Sequence, residues 1–127
     1  MNGLSTADFL WNIQCNVILQ LADQGPCVIV GRNADYILKD RPDALHAFVF
    51  ADKAYRAERI VRRYGESEKS PEQRLNEKDK RRRVNYQHYT GRTWGMSQNY
   101  DLCLDTGKLG IDLCAEIISG IVENSRK

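Results

Sequence analysis

Three short runs constrain the fold of this chain most: "CVIVG" (Cys27–Gly31), "HAFVFA" (His46–Ala51) and "YDLCLD" (Tyr100–Asp105). The first two are continuous and apolar rather than alternating. Such a run suits a strand buried on both faces, as parallel sheets require. The third reads as a further strand. Helical patterns lie around and between them. Phe9, Leu10, Ile13, Val17, Ile18 and Leu21 recur at helical spacing from about Thr6 to Asp23, with Ser5 or Thr6 as N-cap and Gly25–Pro26 as the stop. Lys53 to Tyr64 predicts a helix with Ala54, Ala57, Ile60, Val61 and Tyr64 turned inward. Ser70 before Pro71 predicts the start of a long polar helix, running to about Tyr89. Leu109 to Glu123 predicts a terminal helix with Leu109, Leu113, Ile117, Ile118 and Ile121 facing the core.

Strands alternating with helices predict an α/β layered fold with a mostly parallel sheet. Three strands make a narrow sheet, with an edge left exposed or paired elsewhere. The 127 residues suffice for one small domain, and 42% hydrophobic content supports a packed core.

Charge narrows the function classes. The net charge is only +2, too low for a protein that coats nucleic acid through bulk charge. The positive charge is instead local: Arg74 to Arg92 holds seven Lys or Arg against Glu77 and Asp79. From Glu77 to Gly95, Lys80, Arg81, Arg82, Arg83 and Arg92 are interleaved with Tyr86, His88, Tyr89 and Trp94. Such a tract suits a phosphate site, a nucleic-acid contact or a solvated helix face.

The four cysteines, Cys15, Cys27, Cys103 and Cys114, form no CxxC pair, and His46 and His88 complete no zinc spacing. They read as reduced core or near-core residues of a cytoplasmic protein. No metal site is expected from protein ligands. The first apolar stretch carries Asp8, Asn12, Gln14 and Asn16 without a basic segment before it, unlike a signal peptide. No apolar run reaches membrane-spanning length, so no membrane partner is expected.

Ligands of open parallel sheets bind at the carboxyl ends of the strands. "GRNAD" (Gly31–Asp35) follows the first run, Asp52 the second, and Asp105, Thr106 and Gly107 the third. Arg32 stands directly after a predicted strand, where a guanidinium can grip a phosphate or carboxylate at two points. Equally, it can pair with Asp35 or Asp52 as a structural clamp. Arg56, Arg59 and Arg63 share one helix face, either solvated or aimed at anions. Two arginine groups converging on a polyphosphate would suit phosphoryl transfer, which depends on positioning and charge neutralisation. No GxxxxGK[ST] loop occurs: "TGKLG" has Leu109 where a hydroxyl residue is needed.

"CVIVGRNADYILKDRP", "AFVFADKAYRAERIVRRYG", "DKRRRVNYQHYTGRTWG" and "YDLCLDTGKLGID" together resemble consecutive blocks of the cytidylate kinase-like proteins, a branch of the nucleoside monophosphate kinases. The resemblance runs from about Asp8 to Val122. It implies a parallel-sheet, three-layer P-loop kinase-like fold with a helical lid insertion at about 67–95. It implies transfer of a phosphoryl group from ATP, with Mg²⁺, to a CMP-like pyrimidine monophosphate. Arg32 and Asp35 match the monophosphate-binding block. Arg56 and Arg59 match arginines on the ATP and phosphate side. Asp79 and Arg82 fall on a D-x-x-R motif and are the implied catalytic pair, while Tyr86, Tyr89 and Trp94 match lid anchors.

The family's glycine-rich loop and its strand have no counterpart here. The chain therefore resembles the C-terminal part of such a kinase, a single partial domain over 1–127. Little kinase activity is expected of it alone, and its missing part suggests self-association or a separate N-terminal chain. Two other readings stay open at this point: a nucleic-acid-binding module using arginines and aromatics, and a non-catalytic interaction subunit.

Overall fold

The computed structural model describes residues 5–125. The chain divides into two compact units, Met1–Ala44 and Leu45–Lys127.

In the first unit, α1 (Thr6–Gln24) starts where the Ser5 hydroxyl accepts a 3.1 Å hydrogen bond from the Asp8 amide. Asp8 also places a negative charge in the first turn, where the helix dipole favours it. The helix ends at Gly25, whose φ of 146° few other residues adopt. A short second helix, α2 (Ala34–Ile37), was not expected from the sequence. Ile18 of α1 packs with Ala34 and Leu38 to form the core of this unit, joined by Ala22, Ile29, Ile37 and Ala44. Arg41 straps the unit by pairing with Asp23 of α1 and with Asp43.

The expected strand Cys27–Gly31 does not form. The segment has no regular secondary structure and joins no sheet among the described residues. Ile29 packs inward, while Val28 and Val30 are 91% and 86% exposed. The side chains suit a strand, but a strand also needs a neighbour to take its backbone groups, and none lies alongside it among the described residues. Cys27 is accordingly exposed, not near the core; Cys15 and Cys103 are half-buried and only Cys114 is fully buried.

In the second unit, β1 (Ala47–Phe50) pairs in parallel with β2 (Leu102–Asp105), Ala47 opposite Leu102 and Phe50 opposite Asp105. The pair is locked at both ends. At the start, the His46 amide donates to the Asp101 carboxylate at 2.7 Å, and the Asp101 amide donates back to the His46 carbonyl at 2.7 Å. At the finish, the Thr106 hydroxyl donates to the Phe50 carbonyl at 3.1 Å. The fold is thus α/β and dominated by helices, with a two-stranded parallel sheet rather than three strands.

Helix α3 (Lys53–Tyr64) follows β1 and packs on α4 (Pro71–Thr90) through Ala57, Ile60 and Leu75, with Val61 beside them. Ala54 and Tyr64 of the expected inward stripe are instead exposed. Ser70 caps α4 by accepting from the Gln73 amide at 3.2 Å, and Pro71 occupies the first turn. Gly91 ends α4 in the left-handed conformation, φ 72°. A turn of helix, α5 (Thr106–Leu109), precedes the last helix, α6 (Ile111–Ser125). Gly110 separates them at φ 88°, so the expected single helix is broken there. Cys114 is the buried residue of α6; Ile117 and Ile118 are half-buried, whereas Leu109, Leu113 and Ile121 are 40%, 44% and 38% exposed. Two strands offer too little apolar surface to cover that whole stripe. No helix among the described residues is long and apolar enough to cross a membrane.

Candidate functional site

The second unit gathers charge where α3 and α4 face one another. α3 begins one residue after Asp52, and its first turns carry Lys53, Arg56 and Arg59. Arg56 reaches across to Asp79 of α4: its two terminal nitrogens donate to the two carboxylate oxygens at 2.8 and 2.7 Å. This parallel fork is the strongest geometry available to an arginine and a carboxylate. Both side chains are partly buried, at 27% and 19% exposure, so water screens the pair less than an exposed one. Arg82, one turn along α4, donates to the same Asp79 oxygen at a longer 3.4 Å and stays 55% exposed.

The Arg56 hydrogen bonds hold the Asp79 carboxyl below its usual range, against the opposing effect of burial. The charges of Arg56, Arg82 and Lys53 add to the lowering. The same contact raises Arg56 above the ordinary arginine value. Three cations thus act on one carboxylate, and the cluster keeps an excess of positive charge suited to an anion. Arg59 lies three residues beyond Arg56 and is half-buried.

Beyond this cluster, α4 turns back to the sheet. Tyr86 is 2% exposed, the most deeply buried large side chain. The Thr90 hydroxyl donates to the Tyr86 carbonyl at 2.6 Å and accepts from the Arg92 amide at 3.0 Å. Tyr89 stacks edge-on against His88, centroids 4.6 Å apart. Trp94 meets the ring of Phe48 on β1 edge-on at 5.4 Å, and Tyr100 lies against the same ring at 4.9 Å. A side chain at Gly95 would come within 3.5 Å of that phenyl ring.

Arg32 and Asp35 belong to the first unit. Gly31, Arg32 and Asn33 have φ of 69°, 58° and 57°, three left-handed residues in succession. The Ala34 amide closes this turn on the Gly31 carbonyl at 3.1 Å, and the Gln14 side chain donates to the Arg32 carbonyl at 2.8 Å. For an arginine that conformation costs about 1–2 kcal/mol. The turn leaves the Arg32 side chain exposed, and Asp35 sits half-buried in the first turn of α2.

An open groove of about 510 Å³ runs along α3, floored by Ala54, Ala57 and Val61 and edged by Glu58, Arg62 and Glu72. None of the expected site residues lines it. Among the described residues no cluster of His, Cys, Asp and Glu is arranged to hold a metal ion.

Sequence reading missed Lys53 as a member of the cluster and the ion pair that links Arg56 to Asp79. The D-x-x-R spacing does place Asp79 and Arg82 on one helix face. Nothing in the sequence pattern tells which of two facing helices supplies the second arginine.

No functionally curated protein matches the chain. The solved structure of an uncharacterized protein from Eubacterium ventriosum is similar to it, with a TM-score of 0.85 and 32% identity over 93% of this chain and 74% of that one. The cytidylate kinase-like family model matches residues 2–108, a span that holds Arg32, Asp35, Arg56, Asp79, Arg82 and Trp94. The chain belongs to the cytidylate kinase-like family.

Proposed function

We propose that this kinase-like protein binds a pyrimidine nucleoside monophosphate and serves the family's reaction, phosphoryl transfer from ATP. The observation that carries the reading is the convergence of Arg56 and Arg82 on Asp79. An excess of fixed positive charge can neutralise a phosphate without rearranging solvent. In this reading Arg32 and Asp35 meet the acceptor monophosphate, and Arg56 and Arg59 face the donor phosphates. Residues 67–95 form the lid, with Arg82 closing over the transferring group. The burial of Tyr86 and the seating of Trp94 on Phe48 support a fixed base for that lid.

Mg²⁺ and ATP enter as implied by the family. The described residues can offer a polyphosphate side-chain contacts from arginine and lysine, but not the backbone amides that the family's glycine-rich loop would add. No GxxxxGK[ST] loop is present, and the Asp105 carboxylate at the end of β2 accepts from the Gly107 and Lys108 amides of its own chain. The 127-residue chain alone is expected to bind the monophosphate and to transfer phosphoryl groups poorly.

A thermal-shift panel of CMP, dCMP, UMP and AMP tests the reading. Stabilisation by CMP or dCMP above AMP supports it; no shift with any of the four sinks it. A coupled phosphoryl-transfer assay with CMP and ATP tests the second part, and turnover like that of an intact kinase would refute it.

A further inference from the structure

We infer that Asp79 is a positioning residue that fixes Arg56 of α3 through a two-point contact and holds Arg82 of α4 loosely beside it, so that a ligand's phosphates meet one oriented guanidinium and a second that can swing onto them. The inference rests on the nucleotide-kinase reading above and assigns Asp79 a role distinct from chemistry on the substrate.

The geometry separates the two arginines. Arg56 is bound at both terminal nitrogens and is partly buried, so its orientation is fixed by Asp79. Arg82 is held by one long contact and is mostly exposed, so it can leave at little cost. Both Asp79 oxygens are engaged by Arg56, which leaves the carboxylate poorly placed to accept a proton from an incoming hydroxyl. Its position between two helices suits a different task. α4 has few apolar anchors on α3: the buried contact is Ala57, Ile60 and Leu75, about one turn from the start of α4. Asp79 sits a turn further on, where the pairing carries the helix-to-helix register past that apolar contact. The Arg74 side chain, donating to the Gly65 carbonyl at 2.8 Å, ties the near end. Without Asp79, Arg56 would lose its partner and its fixed rotamer, and Arg82 would lose its link to α3.

Electrostatics and positioning predict opposite signs. Asp79 is itself an anion beside the proposed phosphates. If it were a bystander, removing its charge would tighten phosphate binding. If it positions the arginines, removing it weakens binding although the net charge becomes more favourable. The measurement is the affinity of the 127-residue chain and of Asp79→Asn for inorganic tripolyphosphate by titration calorimetry at pH 7 and fixed ionic strength, with helix content followed by circular dichroism. We expect about a tenfold loss of affinity at unchanged helix content. Equal or tighter binding by folded Asp79→Asn overturns the inference while leaving the nucleotide reading in place. So does a wild-type chain that binds CMP but not tripolyphosphate. A wild-type chain that binds neither removes both. If Asp79→Asn does not fold, Asp79→Glu carries the test, since it keeps the charge but moves the carboxylate outward by one methylene. A severalfold loss of affinity in that variant supports the inference, and wild-type affinity overturns it.

Discussion

Arg56 and Asp79 join two helices through paired hydrogen bonds of 2.8 and 2.7 Å, although 23 residues separate them in the chain. The pair is partly buried and strongly oriented, which gives it an energetic weight that exposed ion pairs lack. Lys69 with Glu77, at 2.9 Å, shows the contrast: both of its side chains are about half exposed, and its loss should be felt little.

The lowered pKa of Asp79 makes the link between α3 and α4 acid-sensitive. A folded-state value below the unfolded 3.8 contributes stability that is fully present above 3.8 and is lost as pH falls through the folded value. Asp79→Asn should therefore lower the urea midpoint at pH 7 by the equivalent of about 1–3 kcal/mol. Below 3.8 the wild-type and variant curves should draw together, because protonated aspartate then resembles asparagine. A gap that stays constant down to the acid transition would show that Asp79 keeps its charge or never contributed through it.

The first unit offers a sharper contrast between neighbours of similar chemistry. Ile18 is 4% exposed and contacts the buried Ala34 and Leu38. Ile18→Ala should destabilise the unit by about 2–4 kcal/mol through lost burial and the cavity left behind. Val28 is 91% exposed, and Val28→Thr should change stability by no more than about 0.5 kcal/mol. Chemical denaturation of both variants checks the pair. A cost at Val28 approaching that at Ile18 would mean that the segment carrying Val28 is covered in solution.

What was legible in the sequence follows the range of the forces involved. Ser5, Ser70 and Pro71 act within one turn, and the helices they open begin where the sequence places them. The runs at His46 and Tyr100 become strands because each finds the other, Ala47 against Leu102 onward. The run at Cys27 has the same apolar character but no partner strand among the described residues, and pairing is not written in a single segment. The left-handed turn at Gly31, Arg32 and Asn33 is not legible in the sequence, because only its first residue is a glycine. At the site, Asp79 and Arg82 were legible as i and i+3 on one helix, whereas the bond to Arg56 depends on how two helices pack. The apolar stripes of α1 and α6 are periodic in the sequence, yet periodicity says nothing of whether a second surface exists to cover them, and Leu109, Leu113 and Ile121 are exposed rather than turned to the core. Phe9 and Leu10, for instance, remain 57% and 59% exposed.

The start of α4 should be tunable by a single atom. The Ser70 hydroxyl satisfies the Gln73 amide at 3.2 Å, one of the donors that the first turn leaves without an intrahelical partner. Ser70→Ala should cost about 1 kcal/mol, and Ser70→Gly only a few tenths relative to serine, because glycine adopts the cap conformation without strain and lets water reach the amide. Thermal melts of the three proteins give the order. Equal stability of the alanine and serine forms would mean that Pro71 alone sets the helix start.

The return of the chain from α4 to the sheet rests on Trp94 and Phe48, whose rings meet edge-on at 5.4 Å. The positive rim of one ring faces the negative face of the other, an attraction beyond simple burial. Trp94→Leu and Phe48→Leu each keep an apolar side chain but remove one ring, so a double-mutant cycle isolates the ring-to-ring part. The expected coupling is about 0.5–1.5 kcal/mol, favourable in the wild type. Tyr100 sits 4.9 Å from Phe48 on the same ring, so Phe48→Leu should be the more damaging single change, losing two aromatic partners against one for Trp94→Leu. Additive single changes, with no coupling, would show that Trp94 merely covers the sheet. The segment after Gly91 would then be free to move without disturbing β1, and the fixed base proposed for the lid would be lost.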